Sequence, residues 1–250
     1  MLLENKVAVI YGAGGPIGGA VGRAFSHEGA HVYLSGRTGA KVDALANDIR
    51  AGGGQAESAT IDALDEQQAV EEYVDTVAGQ AGRIDISFNL IGYGDVQQPL
   101  MEISVDDFLQ PIVNAMRSHF LTARAAARHM IEQRGGVILA FGGSGPQTLP
   151  GLGGFKIALD AIEGLRRQWA LELGEHGIRV VTLKTGGIPE SLPEDFEWHD
   201  EITESLVEPT LLKRAATLKD VGNVAAFVAS DKARSMTSTE VNISCGAMVD

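Results

Sequence analysis

At 250 residues and 44% hydrophobic content, the chain is long for one domain, short for two full ones, and able to bury a large core. A formal net charge of −13 argues against nucleic acid and anionic membrane as partners, since both need a basic surface. A single cysteine, Cys245, excludes an internal disulfide and a cysteine-built metal site. With no apolar run of membrane length and no apolar leader core in residues 1–6, the expectation is a cytoplasmic protein. The six histidines show no metal-ligand spacing, so no metal is expected.

Residues 7–10 form a short apolar run of the kind a strand buried on both faces shows. Gly12, Gly14, Gly15, Gly18 and Gly19 then punctuate eight residues, and helical spacing resumes through Val21 and Phe25. Such a turn brings backbone close to a pyrophosphate at a helix N-terminus, where free N–H groups and the helix dipole favour anions. A tight strand-to-helix turn is the plainer reading of the same glycines. Pro16 suits the first helical turn, where its missing N–H has no helical partner. A strand at 30–35 precedes a helix at 40–50 with Val42, Leu45 and Ile49 on one face, ended by Gly52-Gly53-Gly54. A weaker strand at 55–61 leads to a polar-faced helix at 65–80 with Asp65 as its N-cap.

A fourth strand at 84–90 follows. Ser104-Val105-Asp106-Asp107 resembles a capping box that opens a long helix to about residue 133, and Pro111 in its second turn predicts a kink or a late start. A strand at 136–141, a glycine-rich loop at 142–154 and a helix at 155–175 come next, closed by His176-Gly177. Residues 178–183 read as a sixth strand, 220–230 as a helix and 240–244 as a last strand. Residues 184–212 lack a clear period and read as a loop, with a lid-like insertion around 188–212. Residues 190–208 carry eight carboxylates and no Lys or Arg, which a solvated acidic face also explains. Regular strand–helix alternation predicts one α/β domain over 1–250: a doubly wound parallel sheet of about seven strands with helices on both faces. Ligands of such sheets bind at the carboxyl ends of the strands, where strand order reverses.

These residues resemble the short-chain dehydrogenases/reductases along the whole chain. Gly12-x-x-x-Pro16-x-Gly18 stands where that family has Gly-x-x-x-Gly-x-Gly, and Asn89-Leu90-Ile91-Gly92 where it has Asn-Asn-Ala-Gly. Asp62-Ala63 is similar to its adenine-holding acidic dipeptide, and Asn114 matches its active-site asparagine. Thr185-Gly186-Gly187-Ile188 replaces Pro-Gly-x-Ile, and Arg214, Asp220-Val221 and Ser230-Asp231 match its C-terminal pattern. The resemblance implies a Rossmann-type fold and a nicotinamide cofactor held by Gly12, Gly14, Gly15, Ile17, Gly18, Arg37, Asp62, Ala63, Asn89, Gly92, Gly186 and Ile188. The second strand runs into Ser35-Gly36-Arg37, where an NAD-binding unit usually carries an acid for the ribose hydroxyls. An arginine there suits a 2′-phosphate, so NADP(H) is expected over NAD(H), with a plain surface cation as the alternative. Tyr11 replaces the family's usual threonine, and Glu190 stands where a threonine often contacts the nicotinamide amide.

The family's chemistry needs a tyrosine as proton donor, a lysine one helical turn on and a serine for the carbonyl. Tyr11, Tyr33, Tyr73 and Tyr93 are the only tyrosines, so no Tyr-x-x-x-Lys exists in the helix that should carry it. The alignment puts Phe155 at the tyrosine, Leu159 at the lysine and Gly143 at the serine, with Ser144 beside it. Asn114, Ser144, Tyr93 and Lys156 are the remaining catalytic candidates. Packing or solvation accounts equally for Tyr93, Lys156 and Ser144, and His119 and His129 on the long helix suit packing or an interface.

Two functions follow. One is an NADP(H)-dependent oxidoreductase that transfers hydride with a non-standard active site, or on a substrate needing little acid help, such as an activated alkene. The other is a cofactor-binding pseudoenzyme, a sensor or partner subunit without dehydrogenase activity. The substrate is expected to be a small molecule without strong negative charge, because an acidic lid repels anions. The resemblance also implies a homotetramer or dimer through the two long helices, with residues 122–127 permitting close approach.

Overall fold

The computed structural model describes residues 1–64, 67–142, 148–193 and 198–249. Seven strands form one parallel sheet: β1 (Val7–Tyr11), β2 (His31–Gly36), β3 (Gln55–Thr60), β4 (Ile86–Asn89), β5 (Gly136–Phe141), β6 (Ile178–Lys184) and β7 (Thr239–Asn242). Their order is β3-β2-β1-β4-β5-β6-β7. The order reverses between β1 and β4, the crevice where ligands of doubly wound sheets bind. Register pairs Tyr11 with both Ser35 and Asn89, Asn89 with Ala140, and Phe141 with Leu183. The sequence motifs therefore line up along one edge.

Alternation along β1 explains the two packed layers. Ala8 and Ile10 face a core with Val21 and Phe25 of α1 (Pro16–His27), Val42 and Leu45 of α2 (Gly39–Ala51), and Val221 and Ala225 of α7 (Leu218–Ala229). Val7, Val9 and Tyr11 face the other, with Val70 and Val74 of α3 (Gln67–Ala81), Ala123 and Ala126 of α4 (Val105–Gln133), and Ala170 of α5 (Phe155–Leu173). The alanines at 123 and 125–127 are buried in the chain's own core, so they let α4 approach its own sheet and are not offered to another copy.

Ser104 caps α4 by accepting the Asp107 N–H at 3.1 Å, and its hydroxyl donates to the Asp107 carboxylate at 2.7 Å. The helix starts at Val105 and runs through Pro111, so the late start expected from that proline does not occur. A proline this early leaves only the Asp107 carbonyl without its helical donor. Asp65, expected to cap α3, lies outside the described residues. The stretch read as loop contains a helix, α6 (His199–Val207), with Asp200 and Glu201 in its first turn. None of its residues is fully buried, which is why it leaves no apolar period in the sequence. Among the described residues no helix is long and apolar enough to cross a membrane.

Candidate active site

The turn after β1 is built around glycines that no other residue can replace. Gly12 has φ +75°, and a Cβ there would collide with the Leu90 carbonyl. A Cβ on Gly18 would collide with the Gly12 carbonyl. The Gly15 N–H donates back to the Gly12 carbonyl at 3.2 Å, and the Ala13 N–H to the Ser35 carbonyl at 3.0 Å. Gly15 precedes α1 with no side-chain cap, and Pro16 opens the helix. The first helical N–H groups therefore point from the turn with no side-chain oxygen on them, the arrangement that accepts a phosphate.

This turn forms one wall of a cleft of about 200 Å³ that Gly12, Gly15, Arg37, Asp62, Ala63 and Gly92 also line. Asp62 shapes its own bend, its carboxylate accepting the Leu64 N–H at 3.0 Å. Asn89 does the same for the next loop, accepting the Ile91 N–H at 2.9 Å and donating to the Thr122 hydroxyl at 3.2 Å. Arg37 is exposed, with no hydrogen bond or ion pair among the described residues. Lys41, which the sequence reading did not single out, stands on the same rim: a Cβ on Gly14 would lie 3.2 Å from the Lys41 Cβ. Its position one turn into α2, beside the phosphate turn, has no sequence signature apart from the charge. Tyr11 is 1% exposed and forms the floor, its ring edge-on to Tyr73 at 6.4 Å.

At β6 the Thr185 hydroxyl accepts the Gly187 N–H at 3.4 Å, and a Cβ on Gly186 would lie 2.8 Å from the Ala247 Cβ. Ile188 is buried against the β-sheet core. The Glu190 carboxylate accepts the Leu218 N–H at 2.7 Å, so it serves the start of α7. That helix also carries a full capping box between Thr217 and Asp220, with Arg214 donating to Asp220 at 2.8 Å. The Thr217 backbone N–H, and after it Arg214, hold the Asp220 carboxyl below its usual range.

The chemistry end is made differently. Phe155 and Leu159, at the positions where the resemblance implies tyrosine and lysine, pack with Ala140, Ala158, Ile162 and Tyr93 in a small apolar cluster. Tyr93 is 8% exposed, so it is a core residue rather than a surface loop tyrosine. Its ring lies 6.3 Å from that of Phe155. Its hydroxyl donates to the Phe141 carbonyl at 2.9 Å and lies 3.2 Å from His119 Nε2. Gly142, at φ +100°, passes so close that a Cβ would lie 3.1 Å from Leu159 and 3.3 Å from the Tyr93 hydroxyl. Asn114 donates to the Tyr93 carbonyl at 2.8 Å, anchoring the segment that brings the ring in. Burial drives the Tyr93 phenol well above its ordinary pKa and pulls His119 down to about 4, so both are neutral near pH 7.

Lys156 is held by Asp160, one turn along α5, at 2.6 Å. Gly143 and Ser144 lie outside the described residues. His119 enters the site although nothing in the sequence joins residues 93 and 119. His129 instead pairs with Asp75 at 2.7 Å between α4 and α3.

A parallel sheet in this order with a phosphate-accepting glycine turn at the strand reversal defines a dinucleotide-binding oxidoreductase architecture. Residues 12–248 match the family model described as enoyl-(acyl carrier protein) reductase, and the chain belongs to the short-chain dehydrogenases/reductases. It is 31% identical to an uncharacterized oxidoreductase, YxbG, of Bacillus subtilis (strain 168), over 98% of this chain and 92% of that one. It is 31% identical to the meso-2,3-butanediol dehydrogenase of Serratia marcescens, over 99% and 96%. A 7α-hydroxysteroid dehydrogenase solved with NADH and 7-oxo glycochenodeoxycholic acid superposes with a TM-score of 0.88 at 26% identity, over 98% of this chain and 94% of that one. This chain is thus an oxidoreductase of a family that uses NAD(H) or NADP(H).

Proposed function

We propose that this protein is an NADP(H)-dependent oxidoreductase that reduces or oxidises a small, non-anionic substrate with Tyr93 supplying the hydroxyl that position 155 lacks. The observation that carries the reading is the Tyr93 hydroxyl, lodged between Phe155, Leu159 and Gly142. The bound nicotinamide would supply or take the hydride. The residues fit such a cofactor: the Gly12 and Gly18 cradle accommodates backbone only, and free N–H groups face the cleft. In this reading Gly12, Gly14, Gly15, Ile17 and Gly18 hold the pyrophosphate and Asp62 with Ala63 the adenine. Asn89, Gly92, Gly186 and Ile188 shape the pocket around the rest. Arg37, unpaired, and Lys41 beside it support a 2′-phosphate, hence NADP(H) over NAD(H). An acidic residue at the end of β2 would repel that group.

Asn114 fixes the Tyr93 backbone, and the phenol presents its proton to the substrate oxygen. Burial raises its pKa, so the proton stays on the phenol at neutral pH until a substrate oxygen takes it. Ser144 and Lys156 are the further candidates for contact with the substrate carbonyl. Activated alkenes, which need the least acid help at oxygen, are the first substrates to test. The setting we assign is cytoplasmic, in keeping with the lone cysteine. A dimer or tetramer would cover the exposed apolar side chains Val105, Leu109, Val113 and Phe120 of α4 with Ile157 of α5.

The hydroxyl's bond to the Phe141 carbonyl favours one second reading, a cofactor-binding protein that does not turn over. NADPH oxidation with a panel of ketones, enones and enoyl thioesters separates the two. Turnover lost on Tyr93→Phe supports the enzyme, and tight NADPH binding with no turnover supports the second reading.

A further inference from the structure

We infer that His119 is a positioning residue that takes over the task of the absent lysine, by donating its Nε2–H to the Tyr93 hydroxyl oxygen. The inference rests on the reading of Tyr93 as the site's proton donor. It starts from a count of protons. The phenol has one, and the Phe141 carbonyl can only accept, so the 2.9 Å bond between them commits that proton. His119 Nε2, 3.2 Å from the same oxygen, then has a favourable contact only if it carries a hydrogen. The geometry thus selects the Nε2–H tautomer of a neutral imidazole. Both partners are largely buried: Tyr93 is 8% and His119 6% exposed. Their ring centroids are 6.0 Å apart with the planes tilted by 52°.

The consequence is chemical. In reduction, the Tyr93 hydroxyl leaves the Phe141 carbonyl and its O–H bond breaks; its proton forms a new O–H bond on the substrate oxygen while the hydride that a bound nicotinamide would supply goes to the substrate carbon, and the O–H bonding pair stays on the phenol oxygen until solvent returns a proton. A phenolate left in an apolar cluster is costly without a donor. Across from it stands Leu159, which has none to give, and the Lys156 ammonium is held by Asp160. The His119 N–H is already aimed at the oxygen where negative charge develops, so it stabilises the phenolate without reorganising. A neutral donor also suits a buried place better than an ammonium, which would shed its charge there, and burial keeps His119 neutral down to about pH 4.

The test has two parts. In the full-length protein, ¹⁵N NMR of the imidazole at pH 7 is expected to show the proton of His119 on Nε2, with the resonance shifted by Tyr93→Phe. A proton on Nδ1 overturns the inference. In turnover of the best substrate of the panel, His119→Phe is expected to lower kcat about 10- to 100-fold, the rate equivalent of one hydrogen bond to a charged oxygen, with KM within threefold. His119→Gln, which keeps an N–H donor, is expected to recover most of the loss. Adding His119→Phe to Tyr93→Phe is expected to cost nothing more. Tyr93→Phe impaired with His119→Phe unimpaired overturns this inference alone. Tyr93→Phe unimpaired, or no turnover of any panel member by the native protein, overturns the reading beneath it as well.

Discussion

The cofactor end of the crevice and its chemistry end are built from different materials. At the ends of β1 and β2 the contacts come from backbone: glycines whose Cβ would strike a carbonyl, N–H groups at the start of α1, and Asx-type bonds from Asp62 and Asn89. At the ends of β4 and β5 they come from side chains: the Tyr93 phenol of the loop after β4 meets the His119 imidazole of α4, and the Asn114 amide of the same helix holds the Tyr93 carbonyl. A backbone-made site tolerates little change where sterics fix its glycines, as they do at Gly12 and Gly18. A side-chain-made site can be rebuilt by any element that reaches it, and in the proposed reading a loop tyrosine serves for the missing helix tyrosine.

The comparison breaks or sharpens under four substitutions or titrations. The largest effect is expected from Tyr93→Phe, which removes one oxygen: about 10²- to 10⁴-fold in kcat, with NADPH affinity unchanged by calorimetry. Loss of NADPH binding instead would show the two ends to be one unit. Next is pH. His119 is neutral in the fold and titrates near 4, against about 6.5 unfolded, so the unfolded chain binds the extra proton between those values. Stability is therefore complete above about pH 6.5 and falls by roughly 3 kcal/mol as pH drops through 4. Chemical denaturation of native and His119→Phe protein at pH 7 and 4.5 measures it, and the variant should lack most of that slope. Third, Arg37→Ala is expected to weaken NADPH about 10- to 100-fold and leave NADH unchanged, as loss of a charge-assisted contact to phosphate should. An equal loss for both cofactors would remove the case for the 2′-phosphate. The smallest effect is Glu190→Ala, about 1 kcal/mol of stability, with NADPH affinity unchanged, because its carboxylate caps α7.

What the sequence disclosed follows the same division. Strands β1, β2, β4, β5 and β6 are mostly buried runs and glycine turns are punctuation, so these strands and the turn after β1 are legible from local pattern, whereas β3 and β7 are partly exposed and lack that signal. Helix α6 was not legible, because it buries no full face and so has no apolar period. The long helix is placed correctly, and it starts at Val105 without the late start that Pro111 offered as one alternative. Tyr93 is visible as a candidate because tyrosines are few and it directly follows the Asn89-x-x-Gly92 turn. His119 reads from the sequence as a packing or interface residue, since a contact across 26 residues between a loop and a helix leaves no spacing to find. Residues 122–127 were assigned outward for their small size, whereas small residues serve equally to bring a helix onto its own sheet.

Transfer of deuterium from C4 of deuterated NADPH to carbon in the substrate panel, measured by mass spectrometry for native protein and Tyr93→Phe, tests the account most directly. Label in the product with the native chain, reduced at least about 100-fold in the variant, is the expected result. No transfer by the native chain, or equal transfer by both, would contradict it.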